Sequence, residues 1–320
     1  MAVYPAPETG TDCGVGSPDD CGVPRDATLQ IRFDRYLLPE TAVRQSIRVY
    51  TGDPDLGVFL QPEYDLVERV LSYRLADGGT YLPGVLYTVE LVVPTDADSY
   101  GFRAFDGASL AEGPVPLKFD FRTAKADPPP AASSDPPVTC AAILTAFQNG
   151  SCTGSACHKR CDDPTGSCSQ TPRMGLMLDS ADAIRETAIG KPAHETEIGS
   201  KTGVVLENPV RLGVNMPIVD PFRPDNSYLM YKLLRKTDSF RTAPDAPQTV
   251  CDTRYQVGFG PDGECPPPPA AESQRLREWF VRGEPMPLGD LKLDNNDPRA
   301  RLRLIQRWIR EGARLDACPQ

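Results

Sequence analysis

The sequence predicts two domains in series: an all-β sandwich, then a mainly α-helical domain with long, disulfide-stapled loops. Three features of the chain predict this order. Runs with an apolar period of two recur through roughly the first 125 residues, a Pro, Ala and Ser stretch follows, and beyond it the apolar period becomes about 3.6. A chain of 320 residues is long enough to bury two such cores.

The β half is read from five runs: Thr28–Phe33 (TLQIRF), Ser46–Tyr50 (SIRVY), Arg69–Leu75 (RVLSYRL), Leu86–Val93 (LYTVELVV) and Pro116–Thr123 (PLKFDFRT). They alternate or are β-branched, and turn signals separate them. Five such runs in about 100 residues predict a sandwich over 23–125, with 1–22 set apart as an N-terminal segment carrying Cys13 and Cys21. The stretch AKADPPPAASSDPPVT, from Ala124 to Thr139, has almost nothing to bury and reads as a semi-extended linker, with 126–138 as its span.

The domain over 139–320 is read from its helix signals. Thr139 can cap a short helix with Ile143, Leu144 and Phe147 on one face, and Gly150 stands where a stop is expected. Further helices are predicted at Ser180–Ile189, Asn226–Leu234, Ala271–Val281 and Pro298–Glu311. In the last, Asp297 caps, Pro298 fills the first turn, Leu302, Ile305, Trp308 and Ile309 form the stripe, and Gly312 ends it. The first and last helices can cross, burying Leu144 and Phe147 against Ile305, Trp308 and Ile309.

Between the first two helices lies SCTGSACHK: Cys152, four residues, then Cys157 and His158. Covalent haem attachment needs two thiols for the two vinyl groups of a porphyrin and an adjacent imidazole for the iron, which this cluster supplies. The usual spacing between the cysteines is two residues; the longer loop here also permits a Cys152–Cys157 disulfide beside a surface-loop His158. A second axial ligand is offered by Met286, held between Pro285 and Pro287 in GEPMPLGDLKL. Met216 and His194 are weaker competitors, and Met174, Met177 and Met230 read as core.

Two resemblances follow from these residues. VPRDATLQIRFDRYLLPETAVRQSIRVYTG (Val23–Gly52), LPGVLYTVEL (Leu82–Leu91) and KFDFRTA (Lys118–Ala124) resemble the bacterial Ig-like domain of surface-layer proteins, which implies a spacer or adhesion module without catalytic residues. Over 139–318, AAILTAF, the Cys/Cys-His motif, GLMLDSADAI, PDNSYLMYKL, EPMPLG and RLIQRWIREGA resemble, in order, the cytochrome c-like domains of planctomycete and myxobacterial envelope proteins. That resemblance implies one covalently attached haem c, with Cys152 and Cys157 as thioether anchors, His158 as proximal ligand and Met286 as distal ligand.

Composition narrows the function classes. A net charge of −10 with scattered Lys and Arg argues against nucleic acid. No stretch approaches the ~18 apolar residues of a membrane span, and the start MAVYPAPETG lacks a signal-peptide pattern. The ten cysteines include close pairs in Gly, Pro and Asp loops and no Cys-x-x-Cys, which fits disulfides in an oxidising compartment better than zinc. Cys13 with Cys21, Cys161 with Cys168, Cys251 with Cys265 and Cys140 with Cys318 are the expected pairs, whether or not haem takes the remaining two. Export then requires a signal or lipoprotein leader, and with it a possible lipid anchor, upstream of Met1. No G-x-S-x-G elbow, phosphate loop or H-E-x-x-H helix occurs, and Glu278 and Glu284 read as solvated, so no enzyme chemistry is nominated. The expectation is an extracytoplasmic electron-transfer protein with a protein redox partner. The alternative is a haem-free, disulfide-stapled domain with a structural or adhesive role.

Overall fold

The structure is a computed structural model that describes residues 2–4, 22–96, 99–105, 107–112, 116–126, 136–149, 152–153, 158–159, 175–193, 216–241, 298–316 and 318. The chain divides into two compact units, the first built on 1–134 and the second beginning at Asp135.

Among the described residues the first unit has seven strands: β1 Ala2–Tyr4, β2 Leu29–Arg32, β3 Ile47–Tyr50, β4 Leu60–Asp65, β5 Val70–Leu75, β6 Leu86–Leu91 and β7 Lys118–Arg122. They form two antiparallel sheets, ordered β1-β2-β5-β4 and β3-β6-β7. The period-two runs explain the second sheet directly, since Tyr87 pairs with Phe121 and Val89 with Phe119, and all four are buried. Leu29 and Ile31 of β2, with Tyr73 and Leu71 opposite them on β5, supply one buried face of the first sheet.

Two strands lie outside the five runs, and both have a physical reason. β4 contains Pro62, which argues against a strand, yet β4 pairs only with β5 at the sheet edge, where a missing ladder N–H costs little. β1 is three residues long, too short to show a period, and pairs Val3 with Ile31 of β2. The segment set apart as 1–22 therefore contributes an edge strand; Cys13 and Cys21 lie outside the described residues. The β4–β5 turn is set by Asp65, whose Oδ1 accepts the Val67 and Glu68 N–H groups at 3.0 and 3.1 Å.

The second unit has four helices among its described residues: α1 Cys140–Asn149, α2 Ala181–Thr187, α3 Tyr228–Arg241 and α4 Pro298–Arg310. Thr139 caps α1 by accepting the Ala142 N–H at 3.3 Å, and Cys140, Ile143, Ala146 and Phe147 are its buried residues. Leu144, expected on that face, is only half-buried. Ser180 caps α2 by accepting the Ala183 N–H at 3.2 Å. α3 begins two residues later than the expected Asn226, because Pro224–Asn226 form a separate 3-10 turn whose Asp225 carbonyl accepts the Tyr231 hydroxyl at 2.8 Å. The helix expected at Ala271–Val281 lies outside the described residues. No helix among those described is long and apolar enough to cross a membrane.

α4 buries Leu302, Ile305, Trp308 and Ile309, the stripe read from the sequence. It ends in a Schellman motif: the Ala313 N–H bonds the Trp308 carbonyl and the Gly312 N–H bonds the Ile309 carbonyl, both at 2.9 Å. Gly312 has φ +96, and a Cβ there would come 2.7 Å from Cζ of Phe222. Gly312→Ala is expected to cost about 1–2 kcal/mol in urea unfolding, from the left-handed strain of a side chain at C′. A loss under about 0.5 kcal/mol would show that another feature ends the helix.

The ends of this unit are tied together. Cys140 and Cys318 form a disulfide across a separation of 178 residues, with Cα atoms 5.3 Å apart. The Phe147 ring of α1 meets Trp308 of α4 edge-on, centroids 6.3 Å apart at 83°. Glu311 accepts the Val138 N–H and the Arg307 Nε–H, each at 2.7 Å, and Arg307 also donates to the Pro136 carbonyl. The end of the linker is thereby held against the last helix.

Candidate functional site

The site starts where α1 stops. The chain folds back so that the Cys152 N–H donates to the Phe147 carbonyl at 3.1 Å, and Cys152 becomes a buried residue. The His158 N–H in turn donates to the Cys152 carbonyl at 3.0 Å, closing the loop between the motif's first cysteine and its histidine. Cys157 lies outside the described residues.

His158 is only 3% exposed. The surface-loop histidine held open by the motif alone is therefore overturned: the ring belongs to the interior. Its Nδ1 is 2.9 Å from the Leu176 carbonyl, and its own carbonyl accepts the Leu178 N–H at 2.8 Å. A carbonyl can only accept, so Nδ1 is the donor of this bond. A ring nitrogen tied to a backbone carbonyl fixes the orientation of an imidazole, as it does in metal-binding histidines.

The core of this unit is mainly apolar. Ile143, Phe147, Leu178, Ile184, Met230, Ile305, Trp308 and Ile309 are all buried in the same unit. Met216 is buried and Met177 half-buried. Met286, Met174 and His194 lie outside the described residues, as do Cys161, Cys168, Cys251 and Cys265. Of the four expected cysteine pairs, Cys140–Cys318 is bonded; each of the other three has its residues outside the described set. Among the described residues no group of three or more His, Cys, Asp or Glu is placed to hold a metal ion.

The PDNSYL segment leads into α3 through the 3-10 turn Pro224–Asn226. Burial pushes the Asp225 carboxyl up, against the pull of the Arg223 guanidinium 3.1 Å away. Asn226 donates to Asp220 at 2.7 Å, and the Phe222 N–H reaches the Ile309 carbonyl at 2.8 Å, docking the segment on α4.

A buried cysteine and a buried imidazole thus stand at the two ends of one hydrogen-bonded loop. Sequence reasoning found Cys152 and His158 but not Leu176 or Leu178, because these act through backbone groups that every residue has.

No protein-family model matches the chain, and no curated protein matches it. Two solved structures are similar to part of it. A crystal structure of the S-layer protein rSbsC is 17% identical with a TM-score of 0.24, over 34% of this chain and 13% of that one. The N-terminal part of the bacterial S-layer protein SbsC is 16% identical with a TM-score of 0.24, over 36% and 25%.

Proposed function

We propose that this chain is an extracytoplasmic electron-transfer protein, a monohaem c-type cytochrome domain carried on an Ig-like spacer. The observation that carries the reading is His158, buried beside the buried Cys152 and tied through Nδ1 to the Leu176 carbonyl. Cys152 and Cys157 would hold the porphyrin, His158 the proximal side of the iron and Met286 the distal side. The haem, when bound, supplies one-electron exchange with a redox partner protein. The chain's own part is to orient the imidazole, to exclude water through the residues of α1 and α4, and to set ligand identity.

Further observations support the parts of this reading. The sheet orders β1-β2-β5-β4 and β3-β6-β7 have the connectivity of the constant-type Ig sandwich, A-B-E-D and C-F-G. The helix preceding the motif meets the last helix through an edge-on aromatic pair, as expected for a cytochrome-like domain. The Cys140–Cys318 disulfide fits an oxidising compartment.

The test is an absorption spectrum of the full chain made with a haem-attachment system. A Soret band that survives denaturation is the expected result, since the haem is covalently held. No Soret band, with a Cys152–Cys157 disulfide found by mass spectrometry, overturns the proposal in favour of the haem-free structural domain. In the haem-bound chain, replacing Met286 is expected to abolish the sulfur-to-iron charge-transfer band and lower the potential; an unchanged spectrum assigns the distal position to another residue.

A further inference from the structure

We infer that Thr187, the last residue of α2, is a positioning residue for His158, acting through the two peptide planes that join Leu176, Met177 and Leu178. Its bearing on iron ligation rests on the haem reading above; its bearing on the imidazole does not.

The first plane carries the Leu176 carbonyl and the Met177 N–H, which point in opposite directions because the peptide is planar and trans. His158 Nδ1 stands 2.9 Å from that carbonyl, and Thr187 Oγ1 accepts that N–H at 2.9 Å. The second plane carries the Met177 carbonyl and the Leu178 N–H. Thr187 Oγ1 lies 3.0 Å from the carbonyl, and the His158 carbonyl accepts the N–H at 2.8 Å. His158 and Thr187 thus grip the same two planes from opposite sides.

The hydroxyl proton has two carbonyls within reach, Ala183 at 2.7 Å and Met177 at 3.0 Å. With either one, a lone pair of Oγ1 remains for the Met177 N–H. Two consequences follow for the imidazole. The first plane cannot rotate its carbonyl away from Nδ1 without breaking the Met177–Thr187 bond. An amide whose N–H is engaged is also polarised, which makes its carbonyl a better acceptor for the Nδ1 proton. Thr187 therefore acts on which ring nitrogen bears the proton, and so on which nitrogen faces a metal.

The experiment is 15N NMR of the histidine rings in the full-length chain, at a pH where the ring shifts have stopped changing and the rings are neutral. The sequence has two histidines, and a His194→Gln variant identifies the His158 signals. The wild type is expected in the Nδ1–H form. Thr187→Val keeps the shape and removes the hydroxyl; it is expected to lower the ratio of Nδ1–H to Nε2–H by roughly two- to tenfold, the change worth one hydrogen bond. Thr187→Ser is expected to restore the wild-type ratio. A Thr187→Val chain with the native ratio overturns the inference.

Should Thr187→Val fail to fold, hydrogen exchange in the wild type decides: a Met177 amide exchanging as fast as an exposed one overturns the inference, and strong protection kept in Thr187→Ser supports it. A missing Soret band removes the haem reading and leaves the tautomer result standing, whereas an unchanged tautomer removes the role of Thr187 with or without haem.

Discussion

Replacing Trp308 with alanine is expected to destabilise the helical unit by about 3–5 kcal/mol, the usual cost of removing a large aromatic residue from a core. Trp308 is 1% exposed and joins elements from opposite ends of the unit. Its ring meets Phe147 edge-on, which adds about 0.5–1.5 kcal/mol beyond the area it buries. Its Nε1–H donates to the Arg314 carbonyl at 2.9 Å, so the alanine variant also deprives that carbonyl of its donor. Trp308→Phe retains an aromatic edge and loses the N–H, and is expected to fall between wild type and alanine. Calorimetry of the full chain checks this: the helical unit's transition should move down while that of the β unit stays. An unmoved transition would mean that α1 and α4 are held by something other than this contact.

Removing the Cys140–Cys318 disulfide with serine at both positions is the second large effect, about 2–5 kcal/mol, because the bond restrains a long loop of the unfolded chain. The separation is 178 residues, nearly the length of the unit. The local consequence matters as much as the global one. α1 is ten residues long, too short to persist as a helix by itself, and Cys140 is its first residue. Freed at that end, α1 is expected to exchange its amide hydrogens faster, and with it the Cys152 amide that bonds to the Phe147 carbonyl. Hydrogen exchange read by mass spectrometry measures both. Unchanged stability together with unchanged α1 exchange would show that packing on α4 suffices without the bond.

These two expectations rest on parts of the molecule that differ in how far they could be read beforehand. The Trp308 stripe is a local pattern: apolar residues at helical spacing, a proline in the first turn and a glycine after the last. α4 follows it from Pro298 to Arg310 and stops at Gly312 as the pattern requires. The five β runs are equally local, and each lies over a strand. β4 and β1 were hidden for opposite reasons, one by a proline that only an edge position tolerates, the other by its brevity. The Cys140–Cys318 bond was among the expected pairs, and the fold bears it out by bringing these Cα atoms within 5.3 Å.

By itself the sequence determined what depends on near neighbours: the succession of a β half and a helical half, the cap at Thr139, the stop at Gly312, and the clustering of Cys152, Cys157 and His158. Only the tertiary structure decided that His158 is an interior residue, that the Leu176 carbonyl takes its Nδ1 proton, and that Thr187 holds the same peptides from the other side. The reason is physical. Those contacts run through backbone N–H and C=O groups, identical in every residue but proline, so no choice of side chain at positions 176–178 announces them. They exist only once α2 and the motif loop have been brought together.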